Sequence, residues 1–329
     1  MAFSNNYDQT NPGSGVSNRE ELTDILTILA PEDTPVLSSA TKTKGTSSFP
    51  EWTVDILSAP VTTGIAEGAD VTTFTDQFAA RARLGNRVQK FRRDYMVSDI
   101  QEAVDSVGPA KYAQAETKAM MEIKRDIEAT LLSANDRSTE DGAGTVNGLR
   151  GLGDWIDSAG PSDVPSNYRT PAASINATTI TETIFNNMIT SIFRVNGSSN
   201  GLTLVADTAL RRTISDFARL DPDGSGAGTS IRNVNYSGDS AKIKLSVELY
   251  HSDHGIVSIV NMNPDTAPDT TNKDTGYLLN PEYYGVSELI PLSTNSLPNL
   301  GGGERGYCDF TGSLIVNHPG AHGKTGTFA

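Results

Sequence analysis

The chain has almost no cysteine: Cys308 stands alone among 329 residues. A single thiol excludes intrachain disulfides and cysteine-cluster metal sites, and it fits maturation in a reducing cytoplasm. No apolar run approaches the roughly 20 residues of a spanning helix, so no membrane role is expected. The first ten residues carry neither a basic cluster nor an apolar stretch, so an export leader is not expected. Positive charge is scarce too. Twenty-six Lys and Arg face 40 Asp and Glu, for a net charge of −14. Dedicated nucleic-acid binders draw affinity from Lys and Arg contacts to phosphates, and this balance argues against that class. It suits a wall that encloses a polyanion without sticking to it. The length allows one large or two modest packed units, and 36% hydrophobic with 20% charged residues fits a soluble fold rich in strand and loop.

What is present is an arm. Around residues 50–57 the sequence alternates, with Trp52, Val54 and Ile56 on one side and Glu51, Thr53 and Asp55 on the other. That is the period-two pattern of a half-buried strand. Residues 62–75 are rich in Gly, Ala, Thr and acids, including Glu67 and Asp70, and suit a loop tip. The returning part, 79–95, carries Arg81, Arg83, Arg87, Lys90, Arg92 and Arg93. A two-stranded hairpin is marginal in water, and this one is polar. Residues 49–95 are therefore expected to lie on another subunit. The basic cluster is expected to meet acidic groups of neighbouring subunits there, not packaged DNA.

Around the arm, residues 1–20 read as a polar extension and 20–30 as a short amphipathic helix stopped by Pro31. Ser98 and Gln101 match a capping box, opening a helix to about 106. Gly108-Pro109 breaks it, and a long helix over about 110–134 follows, with Ala113, Met120, Ile123, Ile127 and Leu131 on one stripe. After a loop-rich stretch come a helix at 180–195, a strand at 202–206, and a helix at 207–220 capped by Asp207. Strands are expected at 242–250, 255–261 and 308–317. This second half is a compact α+β unit.

No constellation makes catalysis the expected function. Gly197–Gly201 matches G-x-S-x-G with Ser199 as nucleophile, but a helix precedes it and a strand follows, the reverse of a nucleophile elbow. His251 and His254 lie three apart, which places them on opposite faces of an extended segment and not on one metal. The run from His318 to Thr325 ends like a P-loop, yet too little chain follows for the phosphate-cradling helix. The turn beginning at Asp221 resembles the start of a calcium loop, but Arg232 stands where a bidentate Glu is needed. No cofactor and no metal are expected.

Four segments carry a resemblance: LTDILTILAPEDTPV from Leu22, NRVQKFRRDYMVS from Asn86, VELYHSDHGIVSIV from Val247 and GSLIVNHPGAH from Gly312. Together with the order of arm, long helix and α+β unit, they resemble the major capsid proteins of tailed bacteriophages, the Hong Kong 97 type. The resemblance implies an α+β fold with an N-terminal arm over 1–48 and an extension loop over 49–97. It implies a peripheral domain with a spine helix over 98–178, an axial domain over 179–290, and a return to the peripheral domain over 291–329. It implies a structural, non-enzymatic protein that self-assembles as hexamers and pentamers into the icosahedral head around a double-stranded DNA genome. That role places the protein in the virion, and in the host cytoplasm during assembly. With some 48 residues before the extension loop, a separate scaffolding protein is expected. A portal protein and a decoration protein are the other implied partners, and DNA is enclosed without sequence-specific contact. The competing readings are a soluble hydrolase using Ser199 or the His251/His254 pair, and a phage tail or surface binding protein.

Overall fold

A computed structural model of the protein describes residues 33–104, 111–197, 201–217, 234–237, 240–243, 248–269 and 271–326. The helix expected at 20–30, the break at Gly108-Pro109, Ser199 and the turn from Asp221 lie outside these residues. In chain order the elements begin with helix α1 (Pro35–Ser39) and strands β1 (Thr41–Lys44), β2 (Glu51–Val54), β3 (Ala82–Gly85) and β4 (Gln89–Val97). Helices α2 (Asp99–Ala103), α3 (Lys111–Leu132) and α4 (Leu152–Trp155) follow. The second half holds β5 (Ile175–Asn176), α5 (Glu182–Asn196), β6 (Leu202–Ala206), α6 (Thr208–Phe217), β7 (Val234–Ser237), β8 (Ser240–Ile243), β9 (Leu249–Ser252) and β10 (Gly255–Asn261). Last come β11 (Gly276–Leu279), β12 (Tyr284–Leu297), β13 (Glu304–Val316) and β14 (Gly323–Thr325).

Two sheets organise the molecule. A four-stranded sheet runs β1-β12-β13-β4, and a six-stranded sheet runs β5-β14-β11-β6-β10-β9. The first is antiparallel apart from β1, which joins β12 in parallel. The spine helix α3 packs on β4 and β13. Its 22 residues span about 33 Å at 1.5 Å each. Ser98 accepts from the Gln101 amide, so the expected cap forms ahead of α2. α5 starts on Thr181, which accepts from the Ile184 amide, and ends on Gly197 at φ 70°, where glycine takes the left-handed turn without steric cost. The G-x-S-x-G run is thus a helix-to-strand turn at both of its described ends.

The core is built in two clusters. One gathers Val54, Leu84, Phe91, Ile123, Ile127, Leu131, Trp155 and Leu314 around α3 and the four-stranded sheet. The other gathers Phe185, Met188, Ile192, Leu204, Ile214 and Val257 between α5, α6 and the six-stranded sheet. The α3 stripe holds at Ile123, Ile127 and Leu131, which are buried, while Met120 is partly buried. Ala113 is exposed, because the core reaches only the later turns of the helix.

The longest strand among the described residues, β12, tolerates Pro291 by shifting register between Glu288, Ile290 and Ser293. β12 enters the first sheet at Tyr284, and β14 crosses back to the six-stranded sheet. Of the stretch 242–250, residues 242–243 lie in β8, which pairs with β7, and 249–250 lie in β9 at the sheet edge.

A charged hub stabilises the loop between α3 and β5. The Arg150 side chain is buried, and its guanidinium meets Asp136 at 2.6 Å, Asp154 at 2.9 Å and Asp163 at 2.9 Å. It also lies over the Trp155 ring, 4.9 Å from the centroid. Burial works against its charge, but hydrogen bonds with Asp163 and Asp136 outweigh that and raise its pKa. Arg150→Ala strands these carboxylates. Because they remain partly in water, the expected loss is about 2–3 kcal/mol, below the full cost of a buried orphan charge. Urea denaturation of the purified chain reads it, and a loss under about 0.5 kcal/mol would contradict the hub.

Candidate assembly surface

The arm's root is rigid. β2 and β3 pair antiparallel, with Trp52 opposite Leu84 and Val54 opposite Ala82. Trp52 Nε1 donates to the Val316 carbonyl at 3.1 Å, and its ring packs 5.7 Å from that of Trp155. The Tyr168 hydroxyl donates to the Ala80 carbonyl and lies 3.4 Å from the Val54 carbonyl. At the base, the buried Asn86 carboxamide donates to the carbonyls of Arg150 (3.1 Å) and Leu314 (2.9 Å) and accepts from the Arg150 amide (2.8 Å). Three distant stretches of chain meet at this one side chain.

The expected face alternation of β2 is present: Trp52, Val54 and Ile56 turn inward while Glu51, Thr53 and Asp55 are exposed. Yet their packing partners belong to the same chain. Trp52 and Ile56 pack against the first core cluster, and Val54 is part of it. The expectation of an arm without a core is therefore corrected at its base. The reason is that the base lies directly on Trp155, Tyr168 and the end of β13, surfaces far away in sequence that periodicity does not reveal.

The basic cluster is also redistributed. β4 belongs to the body sheet through its pairing with β13, not to the arm. Arg93 meets Asp126 at 2.6 Å and Glu122 at 3.9 Å on α3, and Lys90 meets Asp309 at 3.7 Å. The Asp126 hydrogen bond raises the Arg93 pKa. Arg81 pairs with Asp55 at 2.8 Å and Arg83 with Glu51 at 3.7 Å, bracing the arm across its two strands. Arg87 lies 5.0 Å from the centroid of the Phe49 ring. Within the single subunit, Lys90 and Arg93 have these acidic partners and Arg87 lies beside Phe49. Arg92 is exposed on β4.

Beyond Val54 the picture changes. Residues 57–78 form no strand or helix, and Leu57, Val61, Ile65, Val71, Phe74 and Phe78 are all exposed, Leu57 at 98% and Phe74 at 86%. Glu67 and Asp70 flank a turn closed by the Ala69 amide on the Ala66 carbonyl, with Gly68 at φ 80°. Glu67, Asp70 and Asp76 are the only ionisable side chains in this stretch, which has no Lys or Arg. Six large apolar side chains on an acidic loop, held out by a fixed root, are the structure's main unspent apolar surface.

A family model, SU10 major capsid protein, matches residues 4–327. The chain belongs to the SU10 major capsid protein family. Its function is structural, as a capsid subunit and not an enzyme. Solved structures agree on the fold: the capsid of an empty GTA particle matches with a TM-score of 0.59 and 12% identity, covering 98% of this chain and 99% of that one. The capsid of the cyanophage P-SCSP1u matches with a TM-score of 0.58 and 12% identity, covering 95% and 94%. A chain from Mycobacterium phage Bobi matches with a TM-score of 0.58 and 10% identity, covering 95% and 96%. No curated protein matches the sequence. The fold is thus the Hong Kong 97 type that the segment order resembled.

The hydrolase and tail readings find no support in this family. His251 sits exposed on β9, while the His254 ring stacks 4.8 Å from Phe193 in the β9–β10 turn, so the two imidazoles serve separate local packing. The His318–Thr325 run forms a short 3-10 turn and then β14, so its described residues take a strand where a P-loop would open a helix.

The contrast between root and loop is measurable in the unassembled capsid protein. Hydrogen exchange should be fast across 57–78 and slow across β2, β3 and β4. Equal protection of the two regions in the free subunit would contradict it.

Proposed function

We propose that residues 57–78 are the element by which one capsid subunit grips the next. The observation that carries this is the exposure of six large apolar side chains on a loop whose root is fixed to its own subunit. Burying one such side chain contributes about 1.5–3 kcal/mol, and every subunit of a shell repeats the contact. Glu67 and Asp70 at the tip, and Arg92 on β4, remain intersubunit contacts in this reading, since all three are exposed. Subunits join as hexamers and pentamers of an icosahedral head in the virion, enclosing double-stranded DNA without sequence-specific contact. The four-stranded sheet with α3 serves as the peripheral domain, and the six-stranded sheet with α5 and α6 as the axial domain. A separate scaffolding protein, a portal protein and a decoration protein complete the partners, with assembly in the host cytoplasm.

The double substitution Ile65→Ser with Phe74→Ser tests the loop. Both positions are exposed in the single subunit, so its unfolding transition should stay within about 0.5 kcal/mol of the parent. Shell yield, read by sedimentation and negative-stain microscopy, should fall at least tenfold. Parent-level yield of normal shells would refute the role of the loop.

A further inference from the structure

One side of the spine helix is grooved along its length. On α3, Lys111, Ala115, Lys118, Glu122, Asp126 and Ala129 fall at helical spacing on a single line. Two clefts follow that line. The first, about 520 Å³, lies between Lys111, Ala115 and Lys118 on one side and Met96 and Val97 at the end of β4 on the other. The second, about 290 Å³, lies between Asp126 and Ala129, Arg93 of β4, and the turn at Asp265 and Thr266. The chain comes to the far end of this groove at Asp33, the first described residue. Asn263 Nδ2 donates to the Asp33 carbonyl at 3.0 Å, and the Asn263 carbonyl accepts the Thr266 amide at 3.1 Å. The turn that closes the second cleft therefore also holds Asp33. Just downstream, the buried Glu128 of α3 accepts the Val36 amide at 2.9 Å and the Leu37 amide at 2.8 Å. Whatever precedes Asp33 is tethered at one end of the two clefts.

Length and charge say what fits there. Residues 20–30 carry Leu22, Ile25, Leu26 and Leu29 at the spacing of one helical face. The same stretch holds Glu20, Glu21 and Asp24 and neither Lys nor Arg. As a helix it would span about 16 Å, and the link through Pro31 and Glu32 adds at most about 7 Å. The line on α3 from Ala129 back to Ala115 is about 21 Å at 1.5 Å per residue. A helix run along it from Asp33 brings its three acids to the Lys111 and Lys118 end. The acids at the near end are already matched: Asp126 and Glu122 with Arg93, and Asp265 with Arg125. At the far end Lys111 Nζ donates to the Gln101 and Val104 carbonyls, which are neutral partners, and Lys118 reaches Glu122 only at 3.9 Å. Met96, 65% exposed, offers an apolar side chain at that same end.

We propose that residues 20–30 dock in this groove of their own subunit, as a helix parallel to α3. Leu22, Ile25 and Leu26 lie over Met96 and Ala115, and Glu20, Glu21 and Asp24 turn toward Lys111 and Lys118. The two-residue link to Asp33 favours the same subunit, because it keeps the segment at a high effective concentration beside the groove. The spine helix is then covered on this side before any neighbour arrives. The groove is thereby closed to the acidic 57–78 loop of another copy, which must find its apolar partners elsewhere.

Hydrogen exchange and peroxide footprinting of the full-length, unassembled subunit test this. Amides of residues 22–30 should exchange at least about tenfold more slowly than their intrinsic rates. Ile25→Ser with Leu26→Ser should remove that protection and make Met96 oxidise about fivefold faster, while β2, β3 and β4 keep the parent's exchange. Lys118→Glu should enlarge the opening equilibrium of 22–30 about threefold, and Lys118→Arg should leave it at the parent level. This pair reads the docking even if the serine variant fails to fold. Exchange of 22–30 at intrinsic rates in the free subunit overturns the proposal. Equal Met96 oxidation in parent and serine variant does so too, since it places the segment elsewhere, as does a Lys118→Glu protein with the parent's protection. Protection of 22–30 that grows with subunit concentration assigns the groove to a second copy and equally overturns it.

Discussion

The buried carboxamide of Asn86 fixes where the arm leaves the body, and the use of the arm depends on that fixed point. By bonding to both Arg150 and Leu314 it joins the arm's return strand to the loop after α3 and to β13. A side chain sealed from water at this junction must have its polar atoms satisfied, and here the backbone of two remote segments satisfies them. Arg150 extends the junction outward, gathering the acids of the loop around its guanidinium. The result is a stiff root beneath a loop that has no structure of its own to spend its apolar surface on.

Stiff root and unspent loop suit a protein whose work is association. A free two-stranded hairpin gains too little to stay in one shape. Rooting its first turns on Trp155 and Val316 removes much of the ordering cost before a neighbour arrives. The ion pairs Arg81–Asp55 and Arg83–Glu51 add direction more than energy, because both are largely in water. In the proposed reading, the net charge of −14 opposes association of free subunits, and apolar contacts over several copies outweigh that repulsion.

The legible part of the sequence was its local pattern. The β2 alternation, the Ser98 cap, the α3 stripe from Ile123 to Leu131 and the helix-to-strand turn opening at Gly197 are each written in a few neighbouring residues. The chain order then pointed to the fold. What stayed hidden depends on contacts remote in sequence. The partners of Arg93 are on α3, those of Trp52 are on α4 and β13, and neither pairing leaves a periodic trace. β12 drew no reading from the sequence, since Pro291 interrupts its alternation, while its bulges and the pairing with β13 hold it as a strand. Glu128 escaped for a similar reason. It sits one place from the apolar stripe, and only the arrival of α1 turns a surface-type residue into a buried one.

The central claim is that the arm is finished by another copy of the chain. A reconstruction of assembled particles by electron cryomicroscopy tests it most directly. The account expects residues 57–78 to lie on a neighbouring subunit, with Leu57, Ile65 and Phe74 covered by its atoms while Trp52 stays on Val316 of its own chain. A loop folded back onto its own body, or left in solvent in the finished shell, would contradict it.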